Sequence, residues 1–521
     1  MYIYFLGSSS PGELASGVTT VHIVEVSSRT RRLLGLGVLA IALAVPSACG
    51  GSTLSPQAVK AANDKAGGAS AAGSTLGSTV GTTSGGTTTG GTTTGGTTTG
   101  GTTTAGTTTV GTTTGGTKTG GTTTGGTTTG GGGTSAAPAV KAGSCAGFKN
   151  QKGITNSTIS IGNSSDISGP VPGLFTGAQQ ATKAYIAYFN ATSNICGRKL
   201  ALTNLDSRTD AGADQTSYQT MCDSDFASVG SMSAFDSGGA GVAQGCGLPD
   251  MRAIAVTADR NNCSTCFGAE ATGPHEFSNE VPDFYVHSPT YHAASQKAAF
   301  LYLNAGAAAE NAVYQQKVEV QRGMKFVYTS GIDVADFNYG PYVQQMISKG
   351  VQWVQFIGAY QQSVRLDQAM AQAGFHPQVR LHDPSVYDQG YLQIGGPAIE
   401  GVHVYINFTP IDENQAELNL YKNWLQQVAP GAYPTFFGEF AWSAAKLFVE
   451  QAIKLGGSLT RASLVSAIKG IHAWTGGGMH SPMDVGGKHS PSCIRFMQVK
   501  NDKFVPLGSK EYTCHGSSVG R

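Results

Sequence analysis

Two short segments place hydroxyl groups just past the end of a strand. Ser231-Met232-Ser233-Ala234 follows a strand ending near Gly230, and Thr257-Ala258 follows the apolar run Ala253-Ile254-Ala255-Val256. Hydroxyls and free backbone N–H groups at such positions can hold an anion or a carboxylate without a counter-charge. Each residue alone suits a turn or a helix cap better than a ligand site, and it is the pair of such loops in one lobe that points to a site. Other chemistry is missing. No Gly-x-Gly-x-x-Gly stands between a strand and a helix, and there is no Walker loop, His-Glu-x-x-His or Gly-x-Ser-x-Gly. The 11 histidines are scattered, and the pair Asp412-Glu413 falls at a helix start, where charge complements free N–H groups. No activated nucleophile or acid–base pair can be assigned, so the expectation is a binding protein without cofactor or metal, and not an enzyme.

Arg29, Arg31 and Arg32 precede the apolar run Leu33 to Val45, followed by Pro46-Ser47-Ala48-Cys49-Gly50. This is the layout of a secretory signal, with a run too short to span a membrane comfortably. A cysteine after small residues resembles the bacterial lipobox, which would make Cys49 the lipidated first residue of the mature chain, although Pro46 stands where leucine is usual. Val26 would make a better start than Met1 if it reflects an alternative start codon. Setting Cys49 aside leaves eight of the nine cysteines: Cys145, Cys196, Cys222, Cys246, Cys263, Cys266, Cys493 and Cys514. In an oxidising compartment these are disulfides. Local spacing suggests Cys263–Cys266 and Cys493–Cys514, then Cys196–Cys222, with Cys145–Cys246 by elimination. Cys263-Ser264-Thr265-Cys266 also has zinc-ligand spacing, but no second pair stands near it.

Lys and Arg number 33 against 32 Asp and Glu, a net charge of +1 that excludes a strongly basic nucleic-acid binder. Charged residues make up only 12%, against an ordinary share of about 25%. Much of the 73-residue glycine content is concentrated in one tract, Gly81 to Gly133, which repeats Gly-Gly-Thr-Thr-Thr with slips at Ala105, Val110 and Lys118. Ordering glycine is costly and threonine buries too little apolar area to offset it, so the tract is expected to be a disordered tether. Roughly 60 such residues would separate their ends by about 40 to 45 Å.

Positioning the hydroxyl loops requires an alternation of strands and helices. Thr158 to Ile161 alternates as a strand, and Gly162 to Asp166 reads as a turn. Phe175, Ala178, Thr182, Tyr185 and Phe189 then share one helical face. Strands follow at 200–202, 227–230 and 253–256, with a helix at 212–222. Helical periodicity covers 292–304. Strands at 325–328, 351–357, 378–382 and 402–406 alternate with helices at 342–349, 363–373 and 413–428. The residues 436–455 form the firmest helix, and 492–499 with 504–507 form a terminal hairpin. The repeated strand–helix order predicts an α/β fold of mostly parallel sheets flanked by helices, split into two lobes.

From about Gly153 to Cys514 the chain resembles the type I periplasmic-binding-protein fold, in particular the Leu/Ile/Val-binding class of ABC-transporter solute-binding lipoproteins. The resemblance lies in Thr158-Ile159-Ser160-Ile161-Gly162 with Ser168-Gly169, Ala184 to Asn190 before Gly197-Arg198-Lys199-Leu200, Asp336-Phe337 with Tyr342-Val343, and Val351 to Gly358. It implies a division into a leader and lipoprotein-type signal (1–48), a disordered tether (49–152) and the main part of a first lobe (153–288). The first part of a second lobe (289–404) would follow, then crossovers completing both lobes and the terminal hairpin (405–515). It also implies a monomer that captures a small amino acid, amide or related carboxylate for ABC permease subunits. The body would be held by its lipid anchor at the outer face of the cytoplasmic membrane, with no nucleic-acid partner. The alternative is a cell-surface sensor or adhesion module on the same fold. In the family the loops matching Ser231–Ser233 and Thr257–Ala258 take the ligand carboxylate. The opposing lobe supplies an aromatic and an acid for the ammonium group, for which Tyr360, Asp383 and Tyr387 are the candidates. One departure stands out: between Leu303-Asn304-Ala305-Gly306 and the helix from Ala307 to Val320 no strand can be read. Either the second lobe has lost a strand, or residues 311–320 are not that helix.

Overall fold

The computed structural model describes residues 141–272 and 275–521. The signal, Cys49 and the Gly/Thr tract therefore lie outside the described residues. The first lobe is built on five strands, β1 (Thr158–Ser165), β2 (Lys199–Asp206), β3 (Ala227–Val229), β4 (Asp250–Ala255) and β5 (Cys266–Ala271). They run in the order β2-β1-β3-β4-β5, and every pair is parallel. The helices Thr176–Thr192 and Phe436–Leu455 cover one face, and Ala211–Ser224 and Ala240–Cys246 cover the other. The face read from Phe175 to Phe189 is buried as its spacing requires. Thr435 caps the helix Phe436–Leu455 by accepting from the Gly438 N–H at 3.1 Å. Gly162 to Ser165, expected to turn, extends β1 instead, because β2 pairs with it through to Ser165.

After the short β6 (Glu276–Ser278) the chain enters the second lobe. Its strands are β7 (Ala298–Leu303), β8 (Phe326–Ile332), β9 (Trp353–Ile357), β10 (Val379–His382) and β11 (His403–Ile406). These lie parallel in the order β8-β7-β9-β10-β11, which repeats the topology of the first lobe. The chain then returns to the first lobe through Ala416–Val428, Phe436–Leu455 and Arg461–Lys469, and crosses back to add β12 (Cys493–Val499) and β13 (Phe504–Pro506) antiparallel. β14 (Thr513–Cys514) pairs with β12, and β15 (Ser517–Val519) with β6.

The helix expected over 292–304 is corrected: only His292–Ser295 is helical, and Ala298–Leu303 is a central strand between β8 and β9. The strand that seemed lost from the second lobe is therefore present, and Gly306–Gln321 is the helix that follows it. Two disulfide expectations are also overturned. The bonds are Cys145–Cys196 and Cys222–Cys246, beside the expected Cys263–Cys266 and Cys493–Cys514. Residues 141–152, assigned to the tether, include that first bond and hydrogen-bond to the first lobe. Gly143 N–H donates to Ile453 O at 2.9 Å, and Ser144 O accepts from Gly457 N–H at 2.7 Å.

Candidate functional site

In both sheets the strand order reverses at the first strand, between β1 and β3 and between β7 and β9. Ligands of open parallel sheets collect at the carboxyl ends beside such a reversal. In this chain the two edges face each other across a cavity of about 290 Å³. Its wall comes from Val171, Met232, Ile254 and Val256 of the first lobe, Leu303, Val318 and Ile357 of the second, and Phe436 and Phe437 after a crossover. The lobes touch around it. Ala307 N–H donates to Ala234 O at 2.7 Å, a close approach that requires Gly306, where a Cβ would meet Ala234 O at 2.2 Å.

The hydroxyl loops stand at the first-lobe edge, but their donors are already taken by carboxylates of the chain itself. Asp166, just past β1, accepts from Ala234 N–H at 2.7 Å and Thr209 N–H at 2.8 Å, and from Ser207 Oγ. Asp236 accepts from Val256 N–H at 2.9 Å, Thr257 N–H at 3.3 Å and Thr257 Oγ1 at 2.6 Å. Glu310, on the helix Gly306–Gln321 of the other lobe, accepts from Ala258 N–H and from His275, both at 2.8 Å. Burial raises the Asp166 pKa, and its hydrogen bonds from Ala234, Ser207 and Thr209 act against that rise.

Of the residues singled out from sequence, Ser233 and Asp383 line the cavity. Ser231 does not: its Oγ is buried in the sheet, accepting from Ser164 N–H at 2.9 Å and sharing a hydrogen bond with Ser228 Oγ. Thr257 faces Asp236 and caps Ala258–Asn262, and Ala258 faces Glu310, so neither lines the cavity. Tyr360 abuts Gly390, and Tyr387 stacks on Phe504 with centroids 4.2 Å apart, both away from the cavity. Their rings complete packing around the helix Gln389–Gly395 and β13.

Polar groups that sequence reasoning passed over take their place. Glu270 near the end of β5, Glu319 on the helix Gly306–Gln321, Tyr405 of β11 and Asn407 just beyond it all line the cavity with Asp383. Asn407 Nδ2 donates to Glu270, and Gln315 Nε2 donates to Glu319 Oε1 at 3.0 Å. Burial pushes Glu270 up to about 7, against the Asn407 hydrogen bond and aided by the charge of Asp383. Burial likewise lifts Glu319 to about 8 and Asp383 to about 6. No Lys, Arg or His stands among the described residues of the lining. A usable signal existed in the sequence: Glu270 interrupts a strand of small and apolar residues, and Glu319 lies between Val318 and Val320.

Two lobes of repeated parallel topology, closed over a largely apolar cavity at their facing carboxyl edges, define the class of two-lobed solute receptors. The family model for periplasmic binding protein matches residues 158–503, and the chain belongs to that family. Its members bind small solutes outside the cytoplasm and work with ABC permeases. No curated protein sequence matches the chain. Among similar solved structures is a fatty acid ABC transporter substrate-binding protein from Thermomonospora curvata, 16% identical, covering 70% of this chain and 96% of its own, with a TM-score of 0.61. A branched-chain amino acid transporter substrate-binding protein from Streptococcus pneumoniae, in complex with isoleucine, is 14% identical, covers 69% and 100%, and has a TM-score of 0.58. A solute-binding protein from R. palustris in complex with 4-hydroxybenzoate is 17% identical, covers 69% and 97%, and scores 0.58. At these identities the likeness is one of fold.

Proposed function

We propose that this chain is an extracytoplasmic receptor that closes its lobes on a small organic solute and delivers it to an ABC importer, anchored through Cys49. The observation that carries this reading is the cavity between the carboxyl edges of both sheets, where open parallel sheets take ligands. Small amino acids, amides and related carboxylates are the first ligands to test. The apolar wall suits a hydrocarbon body, and the acidic and amide groups suit a donor such as an ammonium or an amide N–H. No catalytic step is needed: capture closes the lobes, and the closed surface meets the permease.

Calorimetric titration with amino acids, amides, fatty acids and aromatic carboxylates tests the reading, with small-angle scattering to follow closure. Saturable binding of one solute with a smaller radius of gyration is the expected result. A panel in which nothing binds and no melting temperature moves would sink it. The length of the tract Gly81 to Gly133 favours a second reading, a surface sensor or adhesion module. Deleting the gene separates the two: lost uptake of the bound solute supports import, and unchanged uptake supports sensing.

A further inference from the structure

The anion-binding edge and the acidic edge of this cavity are in different chemical states. At the first, the backbone donors Ala234, Val256, Thr257 and Ala258 are held by Asp166, Asp236 and Glu310. An incoming carboxylate finds those donors engaged and meets acids instead of a cation, which costs it desolvation without a partner. At the second, four acids line one cavity, Glu270, Glu276, Glu319 and Asp383, with no basic side chain among the described lining residues. Of these, Glu276 is already engaged by Ser490 N–H, Ser517 and His489 behind it. Two acceptors there have no hydrogen-bond partner: Glu319 Oε2, on a residue 1% exposed, and Asn407 Oδ1, on a residue 3% exposed. Buried acceptors of that kind are costly unless something donates to them.

Resting on the receptor reading, we propose that the solute is an apolar amine. It has a hydrocarbon body and one protonated nitrogen but no carboxylate, and its cation sits among Glu270, Asp383 and Glu319 while the chain's own carboxylates occupy the anion cradle. Tyr405 lies within electrostatic reach of all three acids and supplies an aromatic neighbour for the cation. Burial disfavours charge on all three, so at pH 7 Glu319 holds its proton and Glu270 shares one with solvent, while Asp383 is largely ionised and supplies the standing negative charge. The other groups around them are His382 and Ser385 beside Asp383, Asn407 beside Glu270, and Gln315, Tyr285 and Gln355 beside Glu319, where the Gln355 amide is close but makes no hydrogen bond of good geometry. Entry of an ammonium group ionises the acids nearest to it, so binding expels protons to solvent.

Two matched sets of compounds test this by calorimetry: isoamylamine, leucine and isocaproate, and phenethylamine, phenylalanine and hydrocinnamate. Within each set the amine is expected to bind about ten- to a hundredfold more tightly than the zwitterion or the acid, the worth of one charged hydrogen bond. Titration in buffers of different ionisation enthalpy is expected to show proton release at pH 7. Asp383→Asn and Glu270→Gln are each expected to weaken amine binding by a similar factor. Should either variant fail to fold, proton release by the unmodified protein still decides. Equal or tighter binding of leucine, phenylalanine or either acid overturns the amine class and leaves the receptor reading standing, as does amine binding without proton release. No binding by any of the six overturns the class too, and the broader solute panel then decides the receptor reading separately.

Discussion

Replacing Asp166 by alanine removes the acceptor at the reversal between β1 and β3. Four bonds are lost, from Ala234 N–H at 2.7 Å, Thr209 N–H at 2.8 Å, Ser207 Oγ and, at 3.5 Å, Ser233 Oγ. The serine hydroxyls can rotate to other acceptors, but the two N–H groups are fixed by the backbone and, half-buried at the cavity edge, are left to solvent. A hydrogen bond to a charged acceptor contributes about 1.5 to 3 kcal/mol, which puts the pair at about 3 to 6 kcal/mol before water replaces the lost acceptor. Relief from burying the Asp166 charge, seen in its raised pKa, offsets part of this, so a loss of about 3 kcal/mol is expected. The vacated space matches formate. If formate binds there with a dissociation constant near 10 mM, 100 mM of it restores about 1.4 kcal/mol by mass action. Urea denaturation followed by tryptophan fluorescence measures both effects, with chloride at equal ionic strength as the control. A variant within about 1 kcal/mol of the unmodified protein, or one that formate helps no more than chloride, would refute the reasoning. Asp166→Asn should recover less than half of the loss, because its amide presents hydrogens to donors.

Arg260 is fully buried between Asp214 at 3.1 Å and Asp250 at 2.8 Å, so Arg260→Ala should cost roughly 3 to 5 kcal/mol in thermal or urea unfolding. Burial already lifts Asp214 to about 6, so lowering the pH toward 5 should recover part of that loss, and a deficit that grows on acidification would contradict the account. Glu319 keeps its proton up to about pH 8 when folded but ordinarily loses it near 4.5, so it binds more protons folded than unfolded and removes stability as pH rises between those values. Melting curves at pH 5.5 and 8.5 should show a steeper decline for the unmodified protein than for Glu319→Gln, and parallel declines would count against it. Glu310→Gln weakens the bonds from Ala258 and His275 across the lobes, by about 1 kcal/mol, and should raise the ligand-free radius of gyration in small-angle scattering. Unreduced peptide mapping should recover Cys145 linked to Cys196 and Cys222 linked to Cys246.

Much of the architecture was legible because one-sided burial leaves a period in the sequence. The helix Phe436–Leu455 was read to both its ends from a broad apolar stripe, and the structure adds the Thr435 cap and the Gly456 that closes it. Ala298–Leu303 was misread because β8 and β9 flank it in the sheet and five of its six residues are buried, so no polar alternation marks it. The hydroxyl loops could be found from their place after strands. Their occupants could not, since Asp166 reaches Ala234 across 68 positions and Glu310 reaches Ala258 across 52. Local spacing failed for Cys145 and Cys196 for the same reason: the bond closes a separation of 51, set by how the segment before β1 lies on the lobe.

That bond governs how the body carries load. Tension arriving along the chain before residue 141 meets Cys145, covalently joined to Cys196, before it reaches β1. Without the bond, a pull would peel β1 from its place between β2 and β3, one ladder bond at a time. With it, the force passes into the turn that precedes β2, and the segment from Cys145 to Cys196, with β1 inside it, is a closed loop that carries none of the tension. The sulfur bridge thus acts as a strain relief, like the clamp where a cable enters its housing. The second lobe lies off that path of force, held to the first by its crossovers and by the bonds Ala307 to Ala234 and Ala258 to Glu310.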